Sequence, residues 1–197
     1  MILSSGLCNL HAKCHKTCDL SFCKINADKW EYVVKDPNLK PQEVFTLDNG
    51  VLKISNKVGY IRTKKAYKNF TLELEWRWNS GPANGGVLVD IQPKDIVWPV
   101  CYQAQLKANS AGDIICMDLK AKECTDTVNT TVKKMKPSNE KPVGEWNHMK
   151  VVQRKSTLRV YVNGLLQNYI TGMNATEGYV GFQAEGHPME IKLISLK

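Results

Sequence analysis

A chain of 197 residues, 43% hydrophobic and 23% charged, is long enough for one domain with a sizeable core and too apolar to be disordered. It holds no apolar run of the roughly 20 residues that a membrane-spanning helix requires. The formal charge of +8 and an isoelectric point near 9.1 raise the question of a polyanionic partner. The lysines are dispersed, however, and the densest groups (Lys64, Lys65, Lys68 and Lys133, Lys134, Lys136) have little aromatic interleaving. The excess therefore reads as a well-solvated surface, and no nucleic-acid partner is expected.

The first segment, Met1 to Ala12, resembles the tail of an export signal that ends in small residues, without the basic stretch that opens a complete one. Four of the seven cysteines crowd this end of the chain, Cys8, Cys14, Cys18 and Cys23, with His11 and His15 among them. The Cys14–Cys18 spacing is neither a zinc knuckle nor a haem-attachment motif, so disulfides or unpaired thiols fit better than a metal site. Residues 1–25 are expected to be a signal remnant or a cysteine-rich extension, and residues 26–197 the folded domain. That reading favours a secreted or periplasmic protein, in which Asn69, Asn129 and Asn174 would head glycan-acceptor triplets.

From Trp30 onward, short β-like segments alternate with turn signals. Residues 51–54 follow the turn Asp48-Asn49-Gly50. Residues 70–78 form the strongest strand, and a Gly- and Pro-containing stretch at 81–86 separates it from residues 87–91. Within that stretch Asn84 precedes two glycines, where a left-handed turn residue is wanted. Residues 102–106, 113–117 and 148–153 come next. Residues 158–162 and 165–170 flank Asn163-Gly164, and residues 179–184 and 189–196 close the chain. No window sustains a helical period beyond about ten residues. Strands at this spacing predict an all-β sandwich or barrel.

The alternation within strands says more than their number. In residues 71–78, Leu72, Leu74, Trp76 and Trp78 share one face, and Thr71, Glu73, Glu75 and Arg77 the other. Gln103 and Gln105 share a face of their strand. Gln183 and Glu185 share another, opposite Phe182 and Ala184. Plain solvent faces also alternate, but they carry Lys, Thr and Ser more often than aligned Glu, Gln and Arg. The three strands are therefore expected to line one concave trough. Sugars need such polar density, because their hydroxyls must exchange water for directed hydrogen bonds.

A longer series of motifs runs in order through the body. It comprises Gly59-Tyr-Ile-Arg-Thr63 with Tyr67-Lys-Asn-Phe-Thr-Leu-Glu-Leu-Glu-Trp-Arg77, then Asn84-Gly-Gly-Val87, Trp98-Pro99, Gln103-Ala-Gln-Leu106 and Ala111-Gly-Asp113. Gly144-Glu-Trp-Asn147, Val162-Asn-Gly164 and Gly178-Tyr-Val-Gly-Phe-Gln-Ala-Glu-Gly186 follow. Together these resemble the 3-keto-disaccharide hydrolase domain family over roughly residues 30–197. The resemblance implies an antiparallel two-sheet jelly-roll β-sandwich of the concanavalin A-like lectin/glucanase type, export, and action on carbohydrate. The chain departs from the family at Gln103, where Glu is usual, at Asp90, where Arg is frequent, and across residues 191–194. Gln cannot act as a base or a nucleophile.

A conventional glycosidase needs two carboxyl groups about 5–9 Å apart, and strand geometry sets Glu73 and Glu75 about 6.7 Å apart. A 3-keto sugar changes the requirement. Its ketone acidifies the C2 hydrogen, so the glycosidic bond can break by elimination through an enolate. That needs a base near C2, a positive group at the C3 oxyanion and an acid for the leaving oxygen. The expected roles are Glu75 as base, Arg77 or a bound divalent cation as oxyanion stabiliser, and Glu185 or His187 as acid. Glu73, Asn84, Gln103, Gln105, Gln183 and Trp98 would hold the sugar, and no other cofactor is expected. Each has a plainer role: Glu75–Arg77 as a structural ion pair, His187 in an exposed turn, Trp98 plugging the sandwich edge. Trp146 reads as a core or rim aromatic, with Asn147 fastening its loop. The expected function is a hydrolase or lyase that cleaves the glycosidic bond of a 3-keto-disaccharide or related glycoside. The alternatives are a non-catalytic carbohydrate-binding module and a structural or adhesive domain.

Overall fold

The computed structural model describes residues 29–124 and 130–197, so the expectations for residues 1–25 and for Asn129 lie outside the described residues. In chain order the described elements are β1 (Trp30–Val34), the short helix α1 (Pro41–Val44), β2 (Phe45–Asp48), β3 (Val51–Ile54), β4 (Val58–Thr63), β5 (Thr71–Trp78), β6 (Gly85–Ile91) and β7 (Cys101–Gln105). They continue with β8 (Ile114–Met117), β9 (Thr131–Val132), β10 (Asn147–Arg154), β11 (Thr157–Val162), β12 (Leu165–Thr171), β13 (Tyr179–Glu185) and β14 (Met189–Leu196).

These strands form two antiparallel sheets, ordered β1-β4-β13-β6-β7-β8-β9 and β12-β11-β10-β5-β14-β3-β2. Local sequence closes the hairpins. Asn49-Gly50 joins β2 to β3 with φ of 49° and 80°, and Asn163-Gly164 joins β11 to β12 with φ of 47° and 82°. Positive φ at both central residues gives the turn whose twist matches paired strands, and Asn and Gly accept it most readily.

The core lies between the sheets. Ile61, Val87, Val89, Tyr102, Ala104, Phe182 and Ala184 of the first sheet meet Leu72, Leu74, Trp76, Met149, Val151, Val160 and Ile191 of the second in one apolar cluster. Truncating such a buried leucine to alanine typically costs about 2–5 kcal/mol. The expected inward face of residues 71–78 is thus the one that packs.

Two further surfaces remain. The outer face of the second sheet is charged and partly exposed. The outer face of the first sheet carries a small apolar cluster of its own, Tyr60, Leu88, Ile91 and Cys101, all fully buried. β5 lies at the centre of the second sheet, whereas β7 and β13 belong to the first. The polar face of β5 therefore points away from those of β7 and β13, which share the outer face of the first sheet, and the single trough expected from all three does not form.

Candidate functional site

The outer face of the first sheet gathers Gln103, Gln105, Gln183 and Glu185. Register sets Gln183 between Tyr60 of β4 and Gly86 of β6, with Gln105 next across β7, and Gln103 opposite Leu88. Gly86 leaves a gap that Gln103 fills: a Cβ at Gly86 would stand 2.5 Å from Gln103 Nε2. Gln103 Nε2 donates to Gln105 Oε1 at 3.1 Å, and the same oxygen accepts the N–H groups of Leu106 and Lys107 at 3.0 and 3.3 Å. These two amides are locked. Gln183 differs, because it is 1% exposed and neither of its amide atoms has a partner among the described residues. An unpaired buried amide costs about 1–3 kcal/mol, which a ligand hydroxyl can recover.

Glu185 lies two residues further along β13 on the same face. It is half-buried, and its Oε2 is buried without a partner among the described residues. Burial pushes its carboxyl above the ordinary range, while the positive charges of His187 and Lys107 oppose that shift. His187 sits in an exposed turn with Nδ1 3.1 Å from the Glu185 carbonyl oxygen. Asn84 arrives beside Glu185, one step beyond the Ala184–Gly85 pair, and its Oδ1 accepts the Gly85 N–H at 3.1 Å. It is not left-handed, contrary to expectation. Lys107 was not among the expected site residues, although Gln103, Gln105 and Lys107 continue one period-2 face. That extension was the readable signal. An open cleft of about 470 Å³, lined by Lys35, Asp36, Asn56, Lys57 and Val58 among others, borders this end, and Val58 is the register partner of Glu185.

At the other end Arg62 of β4 holds two carboxylates. It binds Asp95 through Nε and a terminal nitrogen at 3.0 and 3.1 Å, pairs with Glu31, and stacks on Tyr179 at 4.1 Å. The hydrogen bonds from Arg62 hold the Asp95 carboxyl below its usual range. Asp95 belongs to the β6–β7 loop, so this clamp ties the loop to the outer face. The loop leaves Trp98 48% exposed, and Trp98 does not plug the sandwich edge.

The remaining expected residues do not join the site. Glu73, Glu75 and Arg77 are on the outer surface of the second sheet, beyond the core. Glu73 pairs with His148 and Lys150 at 3.4 and 3.9 Å, and Glu75 with Lys192 at 3.6 Å. Arg77 binds Glu190, its register partner, at 2.8 and 2.7 Å. The Glu75–Arg77 pair expected along one strand is thus replaced by pairs across strands, where opposite charges face each other directly. Trp146 is no core residue: it lies between Arg77 at 4.6 Å and Lys192 at 3.7 Å. Asn147 does fasten the loop, accepting the Lys141 N–H at 2.8 Å and the Asn163 amide at 2.9 Å. Among the described residues, no three His, Cys, Asp or Glu side chains converge as a metal-ligand set. Among the described residues, Lys107 and His187 act electrostatically on the Glu185 carboxyl.

The two-sheet sandwich and its polar outer face define a glycosyl hydrolase-like, all-β domain. Residues 24–197 match the family described as the 3-keto-alpha-glucoside-1,2-lyase-like domain, and the chain belongs to that family. No curated protein sequence matches it significantly. Among solved structures, a protein of Parabacteroides distasonis provisionally assigned as a glycosyl hydrolase is similar with a TM-score of 0.62 at 19% identity, over 86% of this chain and 98% of that one. The carbohydrate binding module CBM66 of Bacillus subtilis gives a TM-score of 0.62 at 12% identity, over 86% and 95%. A beta-glucanase of Bacillus licheniformis gives 0.60 at 11% identity, over 88% and 92%. At these identities the likeness speaks for the fold, a concanavalin A-like jelly-roll sandwich.

Proposed function

We propose that the domain cleaves the glycosidic bond of a 3-keto-disaccharide or related glycoside by elimination, on the outer face of the first sheet. The observation that carries this reading is Glu185: a half-buried carboxyl with an oxygen that has no partner among the described residues. Lys107 and His187 are near it, and the Gln183 amide beside it is likewise without a partner among those residues. A carboxyl raised by burial is a better base for a carbon acid than one in water. Glu185 takes the C2 proton of the keto sugar, and the electron pair moves toward the C3 oxygen, where Lys107 offsets the developing charge. The enolate then expels the C1 oxygen, which takes a proton from His187, and water adding to the enone gives net hydrolysis. Gln183, Gln103, Gln105 and Asn84 hold hydroxyls, and Trp98 offers a stacking face.

Two-carboxylate hydrolysis has less support, because Glu31 and Asp95 on this face are both held by Arg62. The proposal extends to a secreted or periplasmic location, on the export-like character of Met1 to Ala12. A non-catalytic carbohydrate-binding module is the second reading. Gln103, at a position where the resemblance calls for Glu, favours it.

The test is release of free sugar from a 3-keto-disaccharide by the full chain. Glu185→Gln should lower it by about 100-fold or more, whereas Glu75→Gln, on the opposite surface, should change it less than about twofold. Saturable binding without turnover, insensitive to Glu185→Gln, would establish the module instead.

A further inference from the structure

Cys116 and Cys124 are buried thiols that the proposed chemistry does not use, 0% and 6% exposed. Cys116 on β8 faces the core, as does its register partner Tyr102. Cys124 ends a tight turn closed by a bridge to Ala121. Both residues reach one acceptor: the Thr130 carbonyl takes the Cys116 N–H at 2.9 Å and the Cys124 thiol at 3.3 Å. Besides burial, the neighbouring Cys124 side chain also pushes the Cys116 thiol up.

The turn that carries Cys124 is pinned by its neighbours. The Tyr102 hydroxyl donates to the Lys120 carbonyl at 2.7 Å, and the Lys122 N–H donates to Thr171 at 2.8 Å. The Glu123 carboxylate accepts the Thr171 N–H at 2.7 Å and its hydroxyl at 2.8 Å. A turn held at this many points keeps Cys124 beside Cys116. Cys101 is no competitor. It pairs in register with Met117, so it points to the opposite face, where its sulfur lies 3.7 Å from Met117 Sδ.

The geometry points to a disulfide between Cys116 and Cys124, a modification site that staples β8 to the turn after it. The oxidant is a small-molecule disulfide such as oxidised glutathione. Burial keeps the Cys116 thiol protonated, so Cys124, the less buried of the two, attacks first and releases one glutathione thiol. Cys116 then gives up its proton and displaces the second glutathione. Two S–H bonds are replaced by one S–S bond, and both electrons end on the two glutathione thiols. The bond fixes the edge of the sheet on which Gln103 sits, since Gln103 pairs with Ile115 and Ile115 with Thr131.

The experiment equilibrates the full chain with oxidised and reduced glutathione, alkylates it after denaturation, and maps tryptic peptides without reduction. The expected product is the peptide of residues 108–120 joined to that of residues 123–133. Reduction by a phosphine should lower Tm by about 5 °C. Cys101→Ser should keep both signals, and Cys124→Ser should lose both. Recovery of both peptides in alkylated form under fully oxidising buffer, or of Cys116 or Cys124 bonded to Cys8, Cys14, Cys18 or Cys23, overturns the assignment.

Discussion

Replacing Asp90 by Asn should stabilise the fold at neutral pH and leave it nearly unchanged in acid. Asp90 lies where the pairing of β6 with β13 shifts register, is 0% exposed, and has a φ of 52°. Neither carboxyl oxygen has a hydrogen-bond partner among the described residues. Burial, reinforced by the negative charge of Glu177, pushes its carboxyl from 3.8 up to about 7. Between those values the folded protein holds a proton that the unfolded chain has released. The folded state then binds more protons, so stability falls as pH rises through this window. The window spans roughly 3 pH units at about 1.36 kcal/mol each, which makes the loss about 4 kcal/mol, complete above about pH 7. Asn keeps the shape and tolerates the left-handed backbone but has no charge to bury. Urea unfolding of both proteins at about pH 4 and about pH 8 measures the effect. The two should nearly coincide in acid, with the variant ahead by about 4 kcal/mol at the higher pH. A difference that does not change with pH would refute the reasoning.

Three further outcomes follow from named contacts. Arg77→Met leaves the Glu190 carboxylate, 7% exposed, without its partner. It should lower stability by about 2–3 kcal/mol in urea unfolding, less than for a fully buried pair because Arg77 is a third exposed, while sugar release holds within about twofold. Gly86→Ala drives a methyl into the Gln103 side chain, and should raise KM or the sugar Kd about tenfold, read by titration or initial rates, and lower Tm by several degrees, since overpacking costs about 1–3 kcal/mol. Arg62→Leu frees Asp95 and the β6–β7 loop. Limited proteolysis should then cut within residues 92–100 faster than in the native chain.

The parts of this fold that the sequence made readable are local. Period-2 alternation in residues 71–78 assigned Leu72, Leu74 and Trp76 to the core, and Asn-Gly pairs marked two hairpins, because both signals depend only on adjacent residues. β4 escaped notice as a strand because nearly all its residues are buried, on both faces, so Val58–Thr63 shows no alternation. Which sheet a strand joins is another matter. β5 pairs with β10 and β14, both far along the chain, and nothing within Thr71–Trp78 names those partners.

A physical signal for the partners nevertheless exists, in the kind of polar residue each face carries. Charged groups resist burial unless they are paired, whereas neutral amides tolerate it at lower cost. Glu73, Glu75 and Arg77 therefore need strands that offer opposite charges with the same period. His148 and Lys150 alternate with Met149 and Val151, and Glu190 and Lys192 flank Ile191, which meets that need in β10 and β14. Gln103, Gln105 and Gln183 carry no charge to be matched and sit 1–8% exposed beside the buried Tyr60 and Leu88. Sorting polar faces by charge rather than by polarity alone divides them between the two sheets as the structure does. On that face the carboxylates of Glu31 and Asp95 are taken up by Arg62, which leaves Glu185, with Lys107 and His187, as the place for the proposed chemistry.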